Sequence, residues 1–226
     1  MLFNGDISKL GGSPFFVSKE RSDKNMVHIK HWYPKDMTFF KVLSISGNIR
    51  PEDANKLNIS NSRLKNMERD RLIERVTHPS RYNKQQNSNQ SYALTKKGKE
   101  FVESKFGISR CQSGHACEHN CKVAEVICNL DKREIETVQS EWETRNQMME
   151  CIEQMRSQGE YDRYDEYMEL WKQGAISAVD VVYVSSKTNL VTGVEITTGS
   201  YKDSDISAKE ICSEILDIEI EYVNVV

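Results

Sequence analysis

Drawn at about 100° per residue, a helix over residues 62–71 turns Ser62, Lys65, Asn66 and Arg69 to one side, with Arg63 at the flank and Leu64, Met67 and Glu68 opposite. Arginine suits guanine, asparagine suits adenine, and lysine and serine suit phosphate, so the outward set has the chemistry of a duplex-reading face. The polar run after it adds Arg81, Tyr82 and Lys84, placed to follow the neighbouring backbone. A second pair of residues lies far downstream. Asp180 and Glu195 each stand alone in an apolar run, AVDVVYVS and VTGVEITT. A lone carboxylate in such a run costs desolvation unless it is partnered, and two acids on neighbouring strands can converge on one divalent cation. Plainer readings stand beside both: a solvated helix face that binds nothing, and acids that serve packing, turns or a protein contact.

The elements that must position these residues can be read from punctuation. Pro51 suits a first helical turn, where its missing N–H has no partner to lose, and predicts a short helix over residues 51–57. Ser60 or Asn61 then caps a helix over residues 62–71. Two short helices joined by a tight turn form a helix-turn-helix. Residues 72–76 and 91–94 read as strands flanking a polar loop, a hairpin that makes the wing, and Thr95 caps a further helix through Phe106. Residues 36–45 are the expected first helix of this unit, with Met37, Phe40, Val42 and Leu43 as its core wall. Upstream, residues 15–19 and 26–31 look like two strands of an arm or hairpin. Downstream the expected order is a helix over 114–130, a short alternating run over 134–139, an acidic helical stretch over 141–171, strands over 178–185 and 191–198, a helix over 204–216 and a strand over 219–225.

The formal charge of -3 conceals an asymmetry. Residues 1–110 carry 21 Lys and Arg against 11 Asp and Glu, a balance of +10, and residues 111–226 carry 10 against 23, a balance of -13. Polyanions are drawn to the first part and repelled by the second. No run approaches the roughly 18 apolar residues needed to cross a bilayer, and the first residues start no signal peptide, so a cytoplasmic protein is expected. The six cysteines then read as reduced thiols. Cys111, Cys117, Cys121 and Cys128 are crowded, with His115 and His119 between them, but no CxxC knuckle is present. On a helix three of these thiols sit at the rim of an apolar arc and both histidines fall on the polar side, so a tetrahedral zinc site would need ligands from elsewhere and zinc is not expected.

The order helix, three strands, helix, strand, with Asp180 and Glu195 on adjacent strands, resembles the restriction-endonuclease-like fold of PD-(D/E)XK nucleases. That resemblance implies a lysine two residues after the second acid. Thr197 stands there, Lys202 and Lys209 are the nearest substitutes, and the next helix would donate Lys209. Glu118 or Glu125 could add a third acid. Taken whole, residues 37–216 resemble the replication-relaxation family of mobile-element proteins. The resemblance is carried by SRLKNMERDRLIERV with YALTKKGKEFV, GHACEHNCKVAEVICNL, the pair Trp142-Glu143, and VDVVYV with GVEITTGSY. It implies a winged helix-turn-helix followed by a nuclease-like domain, acting in replication, transfer or control of a plasmid or other extrachromosomal element.

The expectation is therefore an α+β chain: an arm over residues 1–35, a winged helix-turn-helix DNA-binding domain over 36–110, and a restriction-endonuclease-like α/β domain over 111–226. Its expected partner is double-stranded DNA, bound sequence-specifically. The acidic half would meet another protein or a second copy, making a homodimer, with Met148, Met155, Tyr164, Met168 and Trp171 as the candidate interface, residues that read equally well as an internal core. The alternative is a metal-dependent endonuclease with Asp180, Glu195 and Lys209 as catalytic residues and magnesium held by the two acids.

Overall fold

A computed structural model describes residues 27–78, 89–112 and 116–225. Helix α1 spans Pro34–Ser46, with Pro34 in its first turn and the Asp36 carboxylate accepting the Tyr33 N–H at 2.8 Å. It ends at Gly47, whose φ of 81° suits only a residue without a side chain and whose α-carbon faces the Asn120 amide so closely that a Cβ would lie 2.9 Å from it. Helices α2, Pro51–Lys56, and α3, Asn61–Arg69, follow, and the Ser60 hydroxyl caps α3 by accepting the Arg63 N–H at 3.2 Å. Strands β1, Ile73–His78, and β2, Asn89–Leu94, pair antiparallel, and Ile49 bridges Tyr92 from the far side, which ties the α1–α2 link to the hairpin root. Helix α4, Lys96–Phe106, is capped by Thr95.

Beyond it come α5, Cys117–Asn129, α6, Lys132–Thr137, β3, Gln139–Ser140, α7, Glu141–Ser157, and α8, Tyr161–Gln173. Strands β4, Val181–Val184, and β5, Val191–Thr197, precede α9, Asp203–Leu216, and β6, Glu219–Asn224. The sheet order is β3-β4-β5-β6, antiparallel as far as β5, with β6 parallel to β5 because α9 carries the chain back across the sheet. Side chains alternate across it. Val181, Val194 and Ile196 join the cluster containing α5, and Val182 joins the cluster containing Met148 and Ile152 of α7 and Cys212 and Ile215 of α9. The chain is thus a mixed α+β protein. Among the described residues no helix is long and apolar enough to cross a membrane.

Several expectations are corrected. Met37 is half exposed and Phe39 takes the place expected for it: Phe39, Phe40, Val42 and Leu43 are the buried wall of α1. Residues 134–139 are mostly the helix α6, because Asp131 caps it and Glu134 returns the bond in a capping box, which outweighs the period-two alternation. Residues 27–33 form no strand. The Asp70 carboxylate instead takes the His28 and Ile29 N–H groups at 2.8 and 2.9 Å, and Trp32 inserts among Phe40, Phe101 and Phe106. Of the two readings of the acidic stretch, the internal core holds: Met148 and Met155 are buried, and Tyr164, Met168 and Trp171 pack half-buried against the Met148 cluster. The strand expected over residues 15–19 and the start of the helix expected at residue 114 lie outside the described residues.

The first core does not stop at residue 110. Phe40 and Leu64 from the positive part share one buried cluster with Val123, Ala124 and Ile127 of α5. Buried polar contacts cross the same boundary: the Asn120 side-chain amide donates to Asn48 Oδ1 at 3.0 Å, and the Asn48 side-chain amide donates to the Ser91 hydroxyl at 3.3 Å.

Candidate functional site

Val181 pairs with Val194, so the register would set Asp180, just before β4, opposite Glu195 of β5. There the backbone ladder gives way to side chains. Asp180 donates its N–H to the Glu195 carboxylate at 3.1 Å, and the Asp180 carboxylate accepts the Ile196 N–H at 2.8 Å. Each acid is held by the other strand's backbone, which fixes both carboxylates at one end of the sheet.

Two helices bring the counter-charges. Lys209 of α9 lies 3.0 Å from Glu195 and donates to the Ala178 carbonyl. His119 of α5 lies 3.2 Å from Asp180 through Nε2. The Tyr201 hydroxyl donates to Glu195. Glu195 and Lys209 are buried, and such charges persist inside a protein only when paired.

The environment drives the two acids apart. Burial works against charge on Asp180, but the hydrogen bond and charge of His119, the Ile196 N–H and Lys209 outweigh it and hold its pKa below the ordinary range. Burial and then the charge of Asp180 push Glu195 up, with Lys209 and Tyr201 offsetting only part of this. Burial opposes the imidazolium of His119, yet the Asp180 hydrogen bond and charge raise it above its usual value.

A cleft of about 870 Å³ opens onto this cluster, with His119, Glu141, Asp180, Glu195, Tyr201 and Lys209 in its wall. A divalent ion such as magnesium keeps several waters and needs only one or two carboxylates; Asp180 and Glu195 are of that donor type, and both Glu195 oxygens are already engaged, one by the Asp180 N–H and the other by Tyr201 and Lys209. Among the described residues no three His, Cys, Asp or Glu side chains stand ready as a complete ligand set. Two further acids wall the same cleft, Glu141 in the first turn of α7 and Asp205 in the first turn of α9. Glu125, expected from the sequence, is paired with Arg50 at 3.6 Å and Lys122 at 2.9 Å, and Glu118 is absent from the cleft wall.

The structure therefore brings Asp180, Glu195 and Lys209 together and adds His119 and Tyr201. Sequence reasoning set His119 on the polar side of α5, which is the signal that could have found it, since a polar face near a buried acid is where a partner would come from. Tyr201 had no such signal.

On α3, Ser62, Lys65 and Arg69 are exposed, Asn66 is half-buried, and Leu64 and Met67 are buried. Arg63 departs from the expected set. Its guanidinium donates to both oxygens of the fully buried Asp36, at 3.0 and 2.7 Å, and to the His31 carbonyl, and it lies over Trp32. A cation held on three acceptors is a tether between α3 and α1, not an outward reader. Arg81, Tyr82 and Lys84 lie outside the described residues, as does His115.

None of the six cysteines is in a disulfide. Burial pushes the Cys128 thiol up to about 12, and Cys121 is raised by its hydrogen bond to Cys117 and by burial, so both are poor nucleophiles. No family model matches the chain, and no curated protein or solved structure is detectably similar to it.

Proposed function

We propose that the chain binds double-stranded DNA sequence-specifically as a winged helix-turn-helix, with α3 in the major groove and the β1–β2 hairpin along the adjacent backbone. The observation that carries this reading is the division of α3: Leu64 and Met67 are buried while Ser62, Lys65 and Arg69 are exposed beside the hairpin. The resemblance to the replication-relaxation family supports a role in replication, transfer or transcriptional control of a plasmid or other mobile element. The acidic half, repelling DNA, is the side for a second protein or a second copy of the chain. A gel-shift titration against duplexes selected from a random pool tests the binding. Lys65→Ala should weaken all duplexes alike and reduce the salt slope by about one, and Arg69→Ala should cost about 1–3 kcal/mol and relax one base position. Unchanged binding in both variants would remove the reading.

A second reading, hydrolysis of a phosphodiester, is favoured by the convergence of Asp180, Glu195 and Lys209 at one end of the sheet, the residues that the resemblance to PD-(D/E)XK nucleases singled out. Asp180 and Glu195 would hold a divalent ion, which when bound supplies Lewis-acid polarisation of a phosphate oxygen and a more acidic water. Lys209 neutralises Glu195 and stands where an anionic phosphate would come to rest. His119 holds Asp180 in orientation. With magnesium or manganese, supercoiled DNA carrying the selected site is expected to be nicked or cut by the wild type and left intact by Asp180→Asn and Glu195→Gln. DNA left whole by the wild type under every metal condition would rule the enzyme out.

A further inference from the structure

The Arg110 guanidinium lies over the Trp142 indole, 4.4 Å from the ring centroid, and the indole remains 41% exposed in the first turn of α7. This pair stands where two clefts meet. One, of about 310 Å³, lies between α1, the segment after α4 and the start of α7, walled by Met37, Ile45, Phe106 and Ile108 and edged by Lys41, Glu136 and Glu143. The other, of about 160 Å³, runs from Arg110 and Trp142 inward to His119 and Asp180. His119, Glu141 and Asp180 also wall the large cleft onto which the acids open, so both clefts share these residues.

We infer that the apolar cleft beside Arg110 and Trp142 is a subsite for one unpaired nucleotide of a DNA strand whose next phosphates run inward to Asp180. This rests on the reading of Asp180 and Glu195 as a phosphodiester site. Three observations select that occupant. A volume near 300 Å³ with apolar walls and a few polar groups at its edge is that of a small-ligand cleft, large enough for a base and too small for a folded partner. An exposed indole beside a guanidinium is the pairing that holds single strands, the ring stacking a base of any sequence and the cation meeting the phosphate. Charge supplies the third. A strand approaching two carboxylates in a half with a balance of -13 needs a flanking cation; Lys41 already faces Glu143 and Glu136 in the cleft wall, and the exposed Arg110 comes from the half with a balance of +10. Lys41 is turned toward the Ile135 and Glu136 carbonyls, to which it donates at 3.1 and 2.9 Å, which leaves Arg110 as the phosphate contact.

Fluorescence anisotropy of the full chain with a labelled oligothymidylate, in magnesium-free buffer, tests the subsite. Trp142→Ala is expected to weaken the single strand about tenfold or more, Trp142→Phe to keep most of the affinity, and Arg110→Ala to weaken it and lower the salt slope by about 0.7. Duplex binding through α3 should be the same in all three. Single-strand affinity unchanged in folded Trp142→Ala would overturn the inference, as would thymidine monophosphate binding as tightly as the oligonucleotide, which would make the cleft a free-nucleotide pocket. If Trp142→Ala does not fold, Arg110→Ala, altered at an exposed residue, decides alone. Cleavage by the wild type, measured beside strand binding by Trp142→Ala, separates the two readings. Loss of strand binding in Trp142→Ala without any cleavage by the wild type leaves the subsite standing and removes the enzyme. Cleavage by the wild type with strand binding intact in Trp142→Ala does the reverse.

Discussion

Arg63→Ala is expected to lower the unfolding free energy by about 3 kcal/mol, near the low end of the loss seen when one member of a buried ion pair is removed. Asp36 is fully buried and takes both Arg63 bonds together with the Tyr33 N–H, so the substitution strands a carboxylate with one donor where it had three. The same change removes the donor on the His31 carbonyl and the cation over Trp32. Denaturant unfolding measures the loss, and Asp36→Leu with Arg63→Met should recover most of it because nothing charged is then left inside. Arg69→Ala, at an exposed position of the same helix, is expected to leave the unfolding midpoint where it is. If Arg63→Ala is as stable as the wild type and loses only DNA affinity, the tether is not what Arg63 provides.

Lys209→Met is expected to cost about 3–5 kcal/mol near neutral pH, by the same logic at the acid cluster. The lysine lies 3.0 Å from Glu195, and without it Glu195 faces Asp180 with His119 as the remaining nearby cation. The loss should depend on pH in a direction the pKa shifts fix. Glu195 is already raised, by burial and by Asp180, and losing Lys209 raises it further. An acid whose folded pKa exceeds its unfolded value of about 4.3 favours the folded state fully below that value and ceases to do so as pH rises through the folded pKa. The gap between variant and wild type should therefore be small near pH 4 and widen toward pH 7. Asp180 is lowered and works the other way, its contribution fading only as pH falls through its own folded pKa, below about 3.9. Urea titrations at the two pH values decide the matter, and Glu195→Gln added to Lys209→Met should close the gap at pH 7.

How much of this was legible depended on the range of the forces involved. Pro51, Ser60 and Thr95 act within one turn, and the helices they begin stand within a residue or two of where those residues point. The acids were visible because a lone charge in an apolar strand is anomalous by itself. Lys209 was reachable as the nearest substitute for a missing lysine. His119 was legible only in part, since its place on the polar side of α5 could be drawn but not that α5 lies on the sheet where that side meets Asp180, and Tyr201 gave no signal. Arg63 misled for a related reason. Helical periodicity sets it at a flank, and only the position of Asp36 on α1 decides that the flank turns inward. Met37 and Phe39 differ by about half a turn, and the start of α1 at Pro34 decided which one faced the core.

The buried cluster that runs through α1, α3 and α5 bears on how the chain can be handled. A cut at residue 110 would pass through its middle, exposing Phe40 and Leu64 on one fragment and Val123 and Ile127 on the other. Calorimetry on the intact chain should then record one melting transition in place of two, and the positive part expressed alone should behave as an aggregating fragment. The two charged halves are inseparable tenants of one interior, and mutations that retune either will register as changes in the thermal tolerance of both.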